Sequence, residues 1–469
     1  MSPTRLTVTR AVRTTVGLVG VAAAVATIMV AGRLDLPAVG RAPASVTVEP
    51  VAADQSRVCA GGLVELGQDP AAATAATSVG DPSIVSGGVG DAEITSSSLA
   101  APDDAAGGTG PTILSAAPAQ ADATLAGAQS QRVDLERLSG FAASSCSEPA
   151  AESWLVGGST DVGQTTVVAL ANPATVDATV TMEVYGESGH VDAAGAAGIV
   201  LEAGTQRLVS LAGLAPNVVL PVIHVVSVGA SVTATLQQSA VRSITPEGVE
   251  VVGTSSAPSD EQIIPGFVVP SSRPVDRADG YDFRVPGVRV LVPGTYDGDV
   301  TVVARSADGT ASEPQIVRAT AESVIDVPLD GLPAGEYSLV VTSDEPVIAA
   351  AHSASSRGEG DDIAWFAATM ALDDEATVAV ASGPQATIGV TNPTGEDRTV
   401  SLIAGGSERE LVVPAGGSAL ADVADGRVYR LSGVEGLHAA VTMLGDEGFA
   451  SAPVSPPSAA SDPVVVRTR

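Results

Sequence analysis

Three stretches of this chain repeat one short pattern, an apolar strand running straight into a tight turn. They are Val167-Val168-Ala169-Leu170-Ala171-Asn172-Pro173, Val288-Arg289-Val290-Leu291-Val292-Pro293-Gly294 and Ala386-Thr387-Ile388-Gly389-Val390-Thr391-Asn392-Pro393. After each comes an alternating strand, at Ala178 to Tyr185, Asp299 to Ala304 and Arg398 to Ile403. Period-two patterning puts one face of such a strand on a core and the other in water. These strands stop at glycine turns, Glu187-Ser188-Gly189, Ala307-Asp308-Gly309 and Gly405-Gly406, where the chain reverses through positive φ. Apolar return strands follow around Val232 to Leu236, Val347 to His352 and Leu437 to Thr442. A recurring unit of this kind folds as an array of like domains.

The expected fold is all-β, with tandem immunoglobulin-like β-sandwiches at 150–255, 260–356 and 362–451. The immunoglobulin likeness rests on Leu329-Asp330-Gly331-Leu332-Pro333-Ala334-Gly335-Glu336-Tyr337, a Leu, a Gly turn and a Tyr opening the next strand. This resembles a tyrosine corner, whose hydroxyl bonds back to the upstream backbone. Tyr429 after Gly426 is its counterpart in the third unit, and the first unit lacks the Tyr. Trp154 and Trp365 stand ahead of the Asn172-Pro173 and Asn392-Pro393 turns and are expected to pack at corresponding places. Aromatic residues are only 3% of the chain, so the cores must come from Val, Leu, Ile and Ala.

From Thr14 to Gly32 no residue is charged, and as a helix this run spans about 28 Å, enough to reach across a bilayer. Arg5, Arg10 and Arg13 precede it and place residues 1–13 in the cytoplasm by the positive-inside rule, with the bulk outside. The expectation is a single-pass anchor at 14–32; a signal peptide cleaved after Val30-Ala31-Gly32 is the alternative. The only two cysteines, Cys59 and Cys146, lie beyond it, and an even count in an exported chain reads as one disulfide. Between them the sequence is rich in Ala, Gly, Ser and Asp, with short β-prone pieces such as Ser83-Ile84-Val85. Residues 45–148 are expected to be a disulfide-closed, partly disordered β region, and 453–469 a disordered tail.

The formal net charge of -31 disfavours nucleic acid and anionic lipid headgroups as partners. No motif supplies catalysis: HExxH, CxxC, a phosphate-cradling loop and a nucleophile elbow are all missing, and there is no lysine. His190, His224, His352 and His438 fall in separate, non-corresponding places, and His224 within Val222-Ile223-His224-Val225-Val226 reads as a strand histidine. Acidic runs at Asp297-Gly298-Asp299, Asp361-Asp362 and Asp373-Asp374-Glu375 could offer oxygen ligands to Ca²⁺, though solvated loop carboxylates are the plainer reading.

The Trp ahead of the Asn-Pro turn, the paired cysteines and the repeated β-units together resemble the actinobacterial exported proteins of domain-of-unknown-function family 5719. The local signals are Arg57-Val58-Cys59-Ala60-Gly61-Gly62-Leu63, Ser139-Gly140-Phe141-Ala142-Ala143-Ser144-Ser145-Cys146 and the Trp154 to Pro173 stretch, over most of residues 50–450. That resemblance implies an envelope location and brings no activity, cofactor or catalytic residue. The expected role is a non-catalytic extracytoplasmic scaffold that meets envelope proteins. A glycan-binding or hydrolysing protein using Asp297, Asp299, Asp361 and Asp362 is the alternative.

Overall fold

The computed structural model describes residues 45–48, 55–67, 75–88, 93–108, 110–116, 125–271, 281–329, 331–357, 360–456 and 464–467. The expected membrane segment at 14–32 lies outside them, and among the described residues no helix is long and apolar enough to cross a membrane.

The chain divides into two compact units. In the small one Ser45–Val48 pairs antiparallel with Val464–Arg467. The tail expected to be disordered therefore contains a strand.

The large unit, Val51–Ser461, is built from β-sandwiches, and the alternating strands sit where the sequence places them. In the first sandwich eight strand positions can be followed. They are Glu152–Val156, Gln164–Asn172, Ala178–Gly186, a fourth split into Gly189–Val191 and Ile199–Leu201, Thr205–Ser210, Val222–Val228, Thr233–Arg242 and Thr245–Val252. One sheet runs first, sixth, third, fourth; the facing sheet runs fifth, second, seventh, eighth. The third sandwich repeats this order from Glu375–Val380 to Gly448–Pro453. So does the second, from Ser259–Val269 to Gly360–Ala367, with one long strand, Gly335–Arg357, serving as both sixth and seventh. Its first half pairs with Gly298–Ser306 and its second half with Gly287–Leu291.

The eighth strand changes two expectations. Trp365 does not open the third unit; its strand turns back at Arg357↔Gly360 and pairs with the middle one, His352↔Trp365. The second sandwich thus extends to Ala367, and the third begins at Glu375 rather than at 362. The apolar run marked the return strand at 347–352 but not its partner, which the reversal at Arg357↔Gly360 supplies.

The region between the cysteines is a reduced copy of the same sandwich. Gln55–Val58, Thr112–Ala116 and Ile94–Ser98 form one sheet in the order first, sixth, third. Ser83–Gly88, Leu125–Asp134 and Ser139–Ser145 form the other in the order second, seventh, eighth. Positions four and five have no counterpart among the described residues. The disulfide Cys59–Cys146 ties the end of the first strand to the end of the eighth, inside a small core with Leu114, Ala116 and Leu125.

The four copies close into a ring. Apolar clusters join the reduced copy to the first sandwich through Leu63, Val133, Ala142, Val249 and Val251, and the first to the second through Leu291, Val324 and Ile348. Phe449 joins the second to the third, and Ala126, Ala128 and Phe141 join the third back to the reduced copy. The four eighth strands lie against one another at the centre.

Local chemistry explains the turns. Asn172 is fully buried; its Nδ2 donates to Val176 O at 2.9 Å and Leu201 O at 3.1 Å, and its Oδ1 accepts Ala174 N–H at 3.0 Å. Asn392 does the same with Glu396 O, Val413 O and Thr394 N–H. Pro173 and Pro393 follow, where a fixed φ helps end the strand. The Tyr429 hydroxyl accepts Ala424 N–H at 2.9 Å and donates back to Ala424 O at 3.3 Å. That of Tyr337 donates to Pro333 O at 3.0 Å from a half-exposed position. Tyr429→Phe leaves the Ala424 N–H unpaired and is expected to cost about 1 to 2 kcal/mol. An unchanged urea midpoint would contradict that role.

Candidate functional site

Where the four eighth strands meet, one position recurs four times. It is occupied by Gly140, Gly248, Asp362 and Gly448, each followed by an apolar residue, Phe141, Val249, Ile363 and Phe449. The side chain of Asp362 fills the shared space. Its Oδ2 accepts the N–H of Phe141 at 2.9 Å and of Phe449 at 3.0 Å. Its Oδ1 accepts the N–H of Val249 at 3.2 Å and of Ile363 at 3.1 Å. Four backbone donors, one from each copy, thus converge on one carboxyl. The other three positions must be glycine, because a Cβ on Gly140 would stand 2.6 Å from Asp362 Oδ1 and one on Gly448 would stand 2.1 Å from Phe141 Cβ. Burial outweighs the pull of the four N–H groups and holds the Asp362 carboxyl up at about 7.

Two residues further along, the corresponding positions hold Ala142, Glu250, Ala364 and Ala450, again one acid among small residues. Glu250 is fully buried. Its Oε1 accepts Val251 N–H at 2.9 Å. Its Oε2 makes no bond of regular geometry, although the N–H groups of Trp365 and Ser451 are near enough to favour the charged form. Burial outweighs them and holds the carboxyl well above the usual range, with Asp362 adding to the rise. A group whose folded value is raised binds protons more tightly in the native state, so its contribution to stability grows as pH falls through the raised value toward the unfolded one. Glu250 and Asp362 therefore contribute more stability near about pH 5 than about pH 8, against an opposite contribution from His438, whose value burial lowers. Glu250→Gln, which mimics the protonated acid, is expected to flatten that dependence while costing under about 1 kcal/mol near neutrality. Urea unfolding at both pH values checks this; an unaltered slope would contradict it.

A second buried polar group lies between the first and second sandwiches. Arg289 is wholly buried in the middle of an apolar strand. It donates to Gly158 O at 2.9 Å and Pro221 O at 3.0 Å, with its guanidinium 4.6 Å from the Trp365 ring centre. Trp365 Nε1 donates to Gln238 Oε1 at 2.7 Å, and Asp326 lies 3.0 Å from His352 Nε2. Burial pushes Asp326 up, but His352 and Arg289 outweigh it and keep its carboxyl below the usual range. Trp365 therefore bridges two sandwiches. Trp154 instead stacks on His224 at 4.1 Å, and His224 spans Glu183 and Glu152 at 2.9 Å each. His224 is thus a satisfied strand histidine, partly exposed and bridging two acids. His438 is buried against Thr369, and burial pushes it down to about 4.

The carboxylates proposed for glycan or calcium chemistry do not gather. Asp297 Oδ1 caps Ala321 N–H at 3.0 Å, the task that Asp177 performs for Ala203 and Asp397 for Ala415. Asp299 pairs with Arg318 at 2.7 Å on the surface. Asp362 is enclosed, and Asp361 beside it is half-exposed. Glu375 pairs with Arg430. Among the described residues no three His, Cys, Asp or Glu side chains are grouped to hold a metal.

At the far end of the eighth strands a cavity of about 610 Å³ opens, with walls from the reduced copy, the first and third sandwiches and the linkers on either side of the second, including Arg57, Trp154, Thr369, Asp373, Val378 and Val454. Desolvation lowers the Arg57 guanidinium, which is paired with Glu148 at 3.0 Å. Sequence reasoning missed this cavity, Glu250 and Arg289, and named Asp362 only as a candidate for calcium or glycan chemistry. The only signals were an Arg inside Val288-Arg289-Val290 and an Asp opening Ile363-Ala364-Trp365-Phe366.

No curated protein matches the chain. Among solved structures it is similar to Thermotoga maritima 1070, at 14% identity over 24% of this chain and 95% of that one, with a TM-score of 0.21. It is also similar to the FN1-FN3 domains of chicken CNTN1, at 12% identity over 68% of this chain and 99% of that one, with a TM-score of 0.11. A biofilm associated protein's BSP domain gives 11% identity over 89% and 96%, with a TM-score of 0.12. The model of a family of unknown function, DUF5719, matches residues 101–418, and the chain belongs to that family.

Proposed function

We propose that the protein is a non-catalytic scaffold or interaction protein of the bacterial cell envelope, held by an N-terminal membrane helix with its bulk outside the cytoplasm. The observation that carries this reading is where the reactive side chains are spent. Asp362 and Arg289 are buried and bonded across sandwiches, and Glu250 and the His352–Asp326 pair are held inside them, so these side chains serve the rigidity of the body. Rigid tandem β-domains suit a part that presents surfaces and sheet edges to partners. The buried disulfide supports an oxidising compartment. We read the sandwiches as immunoglobulin-like because the second strand lies beside the fifth and the third beside the sixth. The first and seventh strands depart from that scheme, flanking the sixth and the second respectively.

The axial cavity favours a second reading, binding of an envelope glycan fragment. Two experiments decide. A reporter fused after residue 469 is expected to be active only outside the cytoplasm, and activity inside would contradict the topology. Affinity capture from native membranes is expected to retain a protein partner. Retaining none, while purified protein binds or cleaves soluble cell-wall glycan fragments, would overturn the choice.

A further inference from the structure

The reduced copy leaves open two strand positions that the other three copies fill. In those, the third strand carries a fourth: Ile199–Leu201 on Ala178–Gly186, Gln315–Ala319 on Gly298–Ser306, and Ser407–Val413 on Arg398–Ala404. Their second strands likewise carry a fifth. In the reduced copy Ile94–Ser98 pairs only with Thr112–Ala116, and Ser83–Gly88 only with Leu125–Asp134, among the described residues. Thr95, Ser96, Ser97 and Ser98 are all exposed.

The ladder shows which groups face outward. Leu99 N–H bonds Pro111 O at 2.9 Å. By antiparallel alternation Ser97 and Thr95 also turn inward, while Ser96 and Ser98 direct their N–H and C=O to the free edge. Ala100, next in the outward series, is already engaged. Its N–H bonds Gly204 O at 3.0 Å and its carbonyl takes Gln206 N–H at 2.8 Å, both from the first sandwich. The outer edge therefore accepts backbone partners at one end and stops short of them along Ile94–Ser98.

We propose that the Ile94–Ser98 edge is the docking site for an extended, strand-forming segment of a partner polypeptide, which adds to the sheet where the other copies hold their own fourth strand. This rests on the reading of the protein as an interaction module and names the kind of partner. The copies indicate its chemistry: three to seven extended residues that include a Val in each case, joined through main-chain hydrogen bonds. Charge selects a basic segment, because Glu93 flanks the edge and the chain carries a net -31. The second sandwich offers a precedent, Arg318 of its fourth strand reaching Asp299 of its third at 2.7 Å.

The probe is a synthetic peptide copying Pro314 to Ala321, the fourth strand of the second sandwich with its flanks. Titrated into the full chain, it is expected to shift the amide resonances of Ile94 to Ser98. Ser96→Pro removes an outward N–H and leaves the inner ladder intact, as a proline on an edge does. It is expected to keep the melting temperature and weaken the peptide at least about ten-fold. Should Ser96→Pro unfold the protein, an N-methylated peptide replaces it and is expected not to bind the wild-type chain. Unchanged affinity in Ser96→Pro, no shifts at Ile94 to Ser98, or self-association of the chain through this edge would overturn the proposal. Capture from membranes separates the two ideas. A partner retained equally by wild type and Ser96→Pro overturns the edge and leaves the interaction reading; peptide binding with no captured partner does the reverse.

Discussion

Asp362→Ala is expected to destabilise the protein by about 3 to 5 kcal/mol, since each buried N–H left without an acceptor costs about 1 kcal/mol or more. The alanine removes the acceptor for N–H groups of four different copies and leaves them facing one another. Three glycines around it cannot refill the space without strain, since it was shaped by their missing side chains. Asp362→Asn is the sharper variant. It keeps the size of the side chain, but one of its two polar atoms becomes a donor aimed at donors. It is expected to lose most of the same stability. Urea unfolding reads both, and a loss under about 1 kcal/mol in Asp362→Ala would mean that apolar packing alone holds the centre.

Removing the disulfide, as Cys59→Ser with Cys146→Ser, is expected to cost about 2 to 5 kcal/mol. The bond closes a sequence separation of 87 residues. It also sits in the copy least able to do without it, because six strands and a core around Leu114 and Leu125 bury less than eight. The loss should appear first in the reduced copy, as earlier protease cleavage between Gln55 and Ser145. A double variant that melts with the wild type would show that contacts from the neighbouring sandwiches already hold that copy in place.

Strand positions and the Asn172 and Asn392 turns were legible because alternation and turn chemistry are local. The central strands were not. Gly140-Phe141-Ala142-Ala143-Ser144-Ser145 falls in the region expected to be partly disordered, yet its residues are small because three other strands press against them. Gly87-Gly88 lies in the same region, whereas a Cβ on Gly87 would stand 2.7 Å from Val428 of the third sandwich. Small residues mean looseness in a lone sequence and close approach in a packed one, and only the partner strand distinguishes them. Asp362 looked like one more acid in an acidic run. Nothing in its neighbours along the chain reveals that four strands from distant segments meet at its side chain. Trp365 misled for the same reason: its place relative to a turn resembled that of Trp154, while its hydrogen bond to Gln238 belongs to another sandwich.

Native-state hydrogen exchange of the amides of Phe141, Val249, Ile363 and Phe449 tests the central claim most directly, that four copies are closed into one body around a single carboxyl. These amides come from four segments far apart in sequence, so a string of independent domains would expose them at four different rates. The ring predicts that all four exchange together, in the slowest class and only through global unfolding, and that Asp362→Ala accelerates all four at once. Four distinct rates in the wild type, each following the unfolding of its own sandwich, would contradict it.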